Sequence, residues 1–238
     1  MIGGTAALEL ADWRRQVAEL YAEVRRVARR DPEAAHLLWR TRRELLYRGH
    51  PQSPVPETER RTFGAVHFGY DPAFRFEVRP ATLEDATRRV PLPEREARNA
   101  APADATATGG RAIAGAPMPL LPVSSGDTRS FDRVAWVSVP FPSGARRLAI
   151  YWLREYSGGL FLPFIDATSG RDTYGAGRYL LDTAKGADLG PGLEPATVVL
   201  DFNFAYQPSC AFDPRWACPL APAENRLDLE IRAGERIG

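Results

Sequence analysis

The stretch from Leu160 to Gly234 constrains the fold most, because it is too rich in glycine, proline and isolated aromatic residues to sustain a long helix. It reads Leu-Phe-Leu-Pro-Phe-Ile-Asp-Ala-Thr-Ser-Gly over 160–170, then Thr-Tyr-Gly-Ala-Gly-Arg-Tyr over 173–179. Thr197–Phe204 reads as a further strand rich in valine and leucine. Pro208, Pro214, Pro219 and Pro222 then hold the chain in an ordered but irregular wrap.

The N-terminal part has the opposite character. Trp13, Val17, Leu20, Val24 and Val27 recur at helical spacing and predict an amphipathic helix over 8–30. Asp31-Pro32-Glu33 supplies an N-cap, a proline at the first helical position and an acid in the first turn, so a second helix should run to about Tyr47. The prolines of 50–56 force an extended connector, and Phe63–Tyr70 and Ala73–Val78 read as two strands around the turn Asp71-Pro72. His50 and His67 read as polar residues of a connector and a strand edge, or as ligands or bases without metal spacing. The segment of about 80–128 has few large apolar side chains and reads as a flexible insertion. Strands resume with Asp132–Phe141 and Arg147–Leu153, joined by Pro142-Ser-Gly-Ala as a hairpin.

These readings predict an α+β protein: an N-terminal helical pair (1–49) packed on an antiparallel β-sandwich or half-open β-barrel (50–238). The 238 residues are 44% hydrophobic, enough for a sizeable core, and the net charge of +1 gives no bulk attraction to nucleic acid or an anionic membrane. With no signal-like start and no long apolar run, the expected location is the cytoplasm. No fingerprint for a nucleotide, metal or other cofactor is present, and Gly170, Gly175 and Gly177 lack the lysine and the strand-to-helix context of a phosphate loop.

The chemistry-bearing residues lie in the C-terminal stretch. Asp166 followed by Thr-Ser-Gly has the composition of an Asx-type turn, yet Arg178 on a return strand could meet it as a bidentate pair. Asp201 and Asn203 alternate with Phe202 and Phe204, so a strand would put the two polar side chains on one face. In a cleft, Asp166 and Asp201 are the candidate acid/base carboxylates, and Thr173, Tyr174, Arg178, Asn203, Tyr206 and Asn225 the candidate ligand-binding groups. The alternative is a polar network that fixes the C-terminal loops, with function in a partner surface. Cys210 and Cys218 are buried thiols, a disulfide or, least favoured, a reactive or metal-binding pair.

Phe164-Ile-Asp-Ala-Thr-Ser-Gly170, Thr173-Tyr-Gly175, Gly177-Arg-Tyr179, Asp201-Phe-Asn203, Cys218-Pro219 and Glu224-Asn-Arg-Leu227 together resemble the proteins grouped as domain of unknown function 1684. His50-Pro-Gln-Ser-Pro54 and Tyr70-Asp-Pro72 are similar to N-terminal motifs of its actinobacterial members, whereas Gln207 stands where asparagine or histidine is expected. The resemblance implies no activity. The residues themselves point to a domain that binds a small polar or anionic molecule, with carboxylate chemistry as an option.

Overall fold

The computed structural model describes residues 3–82, 120–122, 128–154 and 158–238. Helix α1 (Gly4–Ala28) buries Leu20, Tyr21, Val24 and Ala28, the inner end of the apolar stripe. Helix α2 (Pro32–Gly49) begins as its sequence requires, with the Asp31 carboxylate accepting from the Ala34 backbone N–H at 2.9 Å. Trp13 packs at a tilt against Tyr47 (ring centroids 5.7 Å apart) while Trp39 Nε1 donates to Tyr21 Oη at 3.0 Å. The pairing runs in opposite chain directions, so the helices form an antiparallel hairpin.

After a one-turn helix α3 (Glu57–Arg60), the described residues form ten strands: β1 (Val66–His67), β2 (Arg75–Val78), β3 (Ala81–Thr82), β4 (Leu120–Pro122), β5 (Thr128–Phe141), β6 (Gly144–Leu153), β7 (Leu160–Phe164), β8 (Arg178–Asp182), β9 (Val198–Asp201) and β10 (Glu235–Arg236). The main sheet is antiparallel in the order β3-β5-β6-β7-β8, with β4 pairing on β5 as well. It does not close into a barrel. The two strands expected around Asp71-Pro72 do not pair with each other. Pro72–Phe74 is a 3₁₀ turn capped by the Asp71 carboxylate, and it sends β2 to pair with β9 while β1 pairs with β10.

The sheet is covered on both faces. Its residues Ala149, Tyr151, Phe161 and Tyr179 face the helical hairpin, whereas Leu148, Ile150, Leu162 and Phe164 face a second cluster with Val78 and Leu200 of the β2–β9 ribbon. A bulge between Arg133 and Ala135 switches the faces of β5: Phe131 packs toward the helices, while Ala135, Val137 and Val139 pack toward the ribbon. The insertion expected over about 80–128 lies mostly outside the described residues.

One correction bears on the site. The strand expected to reach Phe204 stops at Asp201, and Phe202–Phe204 is a 3₁₀ turn in which the Asp201 carboxylate accepts from the Asn203 N–H at 3.0 Å. Asp201 and Asn203 therefore share no strand face. Phe202 joins the ribbon-side core and Phe204 the helix-side core, so the turn staples the two together.

The return from β7 to β8 passes Gly177 at φ +92°, where an added Cβ would lie 2.4 Å from the Phe164 carbonyl oxygen. Gly177→Ala is expected to cost about 2 kcal/mol or more in a urea melt, through both left-handed strain and that clash. A variant as stable as the wild type would show that this turn can be rebuilt.

Candidate functional site

Asp166 and Arg178 do meet across the β7–β8 turn, but through a single guanidinium nitrogen and not as the expected bidentate pair, because the other nitrogen is drawn to backbone carbonyls. Arg178 has no exposed surface: Nη2 donates to Asp166 Oδ1 at 3.2 Å and to the Ile231 carbonyl at 2.9 Å, and Nη1 to the carbonyls of Ala233 and, at 3.1 Å, Glu235. The other carboxylate oxygen of Asp166 accepts from Thr168 Oγ1 at 2.7 Å and from the Ile231 N–H at 2.8 Å. The Asx-type turn and the ion pair thus coexist, and Thr173 extends them through a 2.9 Å hydroxyl contact with Thr168. Burial pulls the Arg178 pKa down, opposed by Asp166, so the guanidinium is held by its partners against a cost of desolvation.

The two asparagines imitate missing strand partners. Asn225 accepts from the Ala149 N–H at 2.7 Å and donates to the Ala149 and Pro163 carbonyls at 2.9 and 2.8 Å. Asn203 does the same for Asp71, accepting from its N–H at 2.9 Å and donating to its carbonyl at 2.8 Å. Asp201, fully buried, accepts from Asn203 Nδ2 at 2.8 Å and from Arg75 at 3.1 Å, and burial raises its carboxyl pKa. Tyr174 directs its hydroxyl to the Cys210 carbonyl at 3.4 Å. Among these sequence-derived candidates, Asp166, Asp201, Thr173, Tyr174, Arg178, Asn203 and Asn225 are held by backbone or by other framework side chains, and only Tyr206 borders the cavity described next.

That cavity, about 250 Å³, lies between the helical hairpin and the C-terminal wrap. One wall is Trp13, Val17 and Leu20 of α1 with Leu46 and Tyr47 of α2; the other is Tyr179, Tyr206, Pro208, Trp216 and Cys218. The wrap is pinned there by Trp216 Nε1 donating to the Pro54 carbonyl at 3.2 Å and by Tyr179 Oη donating to that of Pro219. At its floor Arg43 lies 4.2 Å from the Tyr47 ring centroid and 5.3 Å from that of Tyr206. Arg43 also pairs with buried Glu235, whose second oxygen accepts from the Gln207 N–H at 2.7 Å. Arg43 had one visible signal: a charge at a core-facing position of α2, in step with Trp39, Leu46 and Tyr47.

No disulfide joins Cys210 and Cys218. Both are buried thiols, and the Cys210 N–H donates to Cys218 Sγ at 3.2 Å. The Cys210 side chain and then burial push the Cys218 thiol well above its usual range, so it stays protonated at neutral pH and is a poor nucleophile. Among the described residues, no three His, Cys, Asp or Glu side chains are grouped to hold a metal ion. No helix among them is long and apolar enough to cross a membrane.

Fold and cavity together define an α+β protein in which a helical hairpin and an irregular C-terminal wrap clasp one antiparallel sheet. The chain belongs to the family described as protein of unknown function (DUF1684), whose model matches residues 113–236. The helical hairpin and the motifs at His50–Pro54 and Tyr70–Pro72 lie outside that match. The chain is also similar to the uncharacterized protein from gene locus rrnAC0354 of Haloarcula marismortui, solved by NMR. The two are 29% identical with a TM-score of 0.52, over 83% of this chain and 90% of that one. No curated protein sequence matches the chain.

Proposed function

We propose that the protein binds a small, largely apolar molecule in the cavity between the hairpin and the wrap, and that Asp166 and Asp201 act as framework rather than as acid/base catalysts. The observation that carries this reading is the cavity itself: an aromatic and aliphatic chamber of about 250 Å³, lined by Trp13, Val17, Leu20, Tyr47 and Trp216. An apolar cavity of about 150 Å³ accommodates benzene, so this one suits a body of about two fused rings. Tyr206 touches the ligand in this reading; Thr173, Tyr174, Arg178, Asn203 and Asn225 hold the walls in place.

The test is a melting experiment with 1-naphthamide as an uncharged two-ring probe. At about a hundred times its dissociation constant a ligand stabilises its host by about 2.7 kcal/mol. Val17→Trp, which fills the cavity from α1, is expected to abolish the shift, and Leu193→Trp, on a loop where Leu193 is 90% exposed, to preserve it. Ser209→Trp fills the same space from the wrap and serves should Val17→Trp misfold. The reading is overturned if the wild type does not respond, or if a folded cavity-filling variant responds as the wild type does.

A further inference from the structure

The geometry points to an anionic ligand for this cavity, a two-ring carboxylate in kind, with its charge at the mouth beside Arg14 and Lys185; the inference rests on the binding reading above. Among the described residues, three cationic side chains line the cavity, Arg14, Arg43 and Lys185, and no aspartate or glutamate does. They are not equivalent.

Arg43 is deep and already committed. Its guanidinium donates to Glu235 and, at 2.8 Å, to the Tyr47 hydroxyl, so a ligand anion there would displace a buried pair. Lys185 is partly committed: its ammonium lies 2.9 Å from Asp182, but the side chain is 53% exposed and an ammonium has three donors. Arg14, one helical turn from Val17, has no hydrogen-bond or ion-pair partner for its side chain among the described residues.

Asp12 is held by Arg15 and Gln16, and Asp182 and Glu235 face Lys185 and Arg43, whereas Glu9 keeps its charge and meets the cavity wall only through Gln52, whose Nε2 donates to it at 3.0 Å. The cavity therefore presents an apolar body site with Arg14, the lining cation that has no acidic partner among the described residues, at its rim. An amphipathic carboxylate satisfies both: rings against Trp13, Tyr47 and Trp216, carboxylate oxygens toward guanidinium and ammonium. A neutral ligand of the same shape uses only the first.

The experiment compares 1-naphthoate with 1-naphthamide, which share size and shape and differ in charge, by calorimetric titration at low salt. For the wild type, 1-naphthoate is expected to bind about tenfold more tightly than 1-naphthamide, consistent with one charge-assisted contact at a partly exposed site. Arg14→Gln should narrow the ratio to about twofold and Lys185→Gln should narrow it less, both leaving the affinity for 1-naphthamide unchanged. Salt at 0.5 M should narrow it too. Equal affinities in the wild type, or a ratio that Arg14→Gln does not move, overturn the anion inference and leave the cavity reading standing. If neither probe binds, the cavity reading itself fails and this inference with it.

Discussion

Arg178→Met is expected to lower the unfolding free energy by about 3–5 kcal/mol, read as a fall in the urea midpoint at unchanged m-value. The substitution keeps an unbranched stem of similar reach but removes every donor. It strands the Asp166 carboxylate, 4% exposed, with only Thr168, Ser169 and the Ile231 N–H to stabilise its charge. It also strips the carbonyls of Ile231, Ala233 and Glu235 of the guanidinium that gathers them. Each buried group left without a partner costs about 1–3 kcal/mol. Because burial opposes the charge on Arg178, the intact pair is not itself a large net stabiliser; breaking one side of it is what costs. Two controls follow. Arg178→Lys keeps the charge yet cannot reach the carboxylate and three carbonyls with one ammonium, so it should fall between wild type and Arg178→Met. Asp166→Asn combined with Arg178→Met removes the stranded charge and should recover part of the loss. An Arg178→Met variant within about 0.5 kcal/mol of wild type would refute the framework role assigned to this node.

That node was legible in the sequence because its two members flank one turn, and hairpin geometry brings such residues together. The helical pair was legible for a similar reason, since Asp31-Pro32 and the three-and-four spacing are local signals. What stayed hidden is non-local or degenerate. Asp-Phe-Asn-Phe over 201–204 fits an alternating strand, but it equally fits a turn in which the aspartate caps the asparagine N–H, and tertiary contacts of both phenylalanines decide between them. The β5 bulge, which turns Phe131 and Ala135 to opposite faces, has no glycine to mark it. Strands β1 and β10 are two residues each and leave no periodicity to detect. The cavity is the extreme case: Val17 and Trp216 face it from opposite ends of the chain, and each looks like ordinary core by itself. For Asn203, alternation with two phenylalanines fits a ligand-facing side chain as well as a framework one, and for Asn225 a backbone-satisfying role in the wrap is the simpler reading of the sequence; in the fold both bond backbone.

The second large expectation concerns acid. Stability should fall as pH drops from about 6.5 toward 4, by about 1.4 kcal/mol per pH unit for each histidine that takes up a proton only on unfolding. His36, 2% exposed, stacks near Trp39 and meets Phe204 and His67 edge-on. His67 Nδ1 lies 3.1 Å from the Ala65 carbonyl, which fixes the proton on that nitrogen, and neither Nε2 has a hydrogen-bond partner. Burial, reinforced by Arg40 for both rings and by Arg43 for His67, lowers His36 to about 4 and His67 to about 3. The sign follows: below 6.5 the unfolded chain binds protons that the folded chain refuses, so stability is full above 6.5 and is lost progressively on the way down to the folded values. Glu235, 3.9 Å from His67 Nε2, does not reverse this, because Arg43 already claims its charge. Asp201 acts the other way, since its raised carboxyl favours the folded state on acidification, but that effect enters only near the carboxylate range. Urea midpoints measured at half-unit intervals between pH 7.5 and 4 should show the slope. His36→Leu, which keeps an apolar body in the aromatic cluster, should remove about half of it while leaving the stability at pH 7.5 within about 1 kcal/mol of wild type. A slope that His36→Leu and His67→Leu both leave intact would assign the acid sensitivity to the surface carboxylates instead.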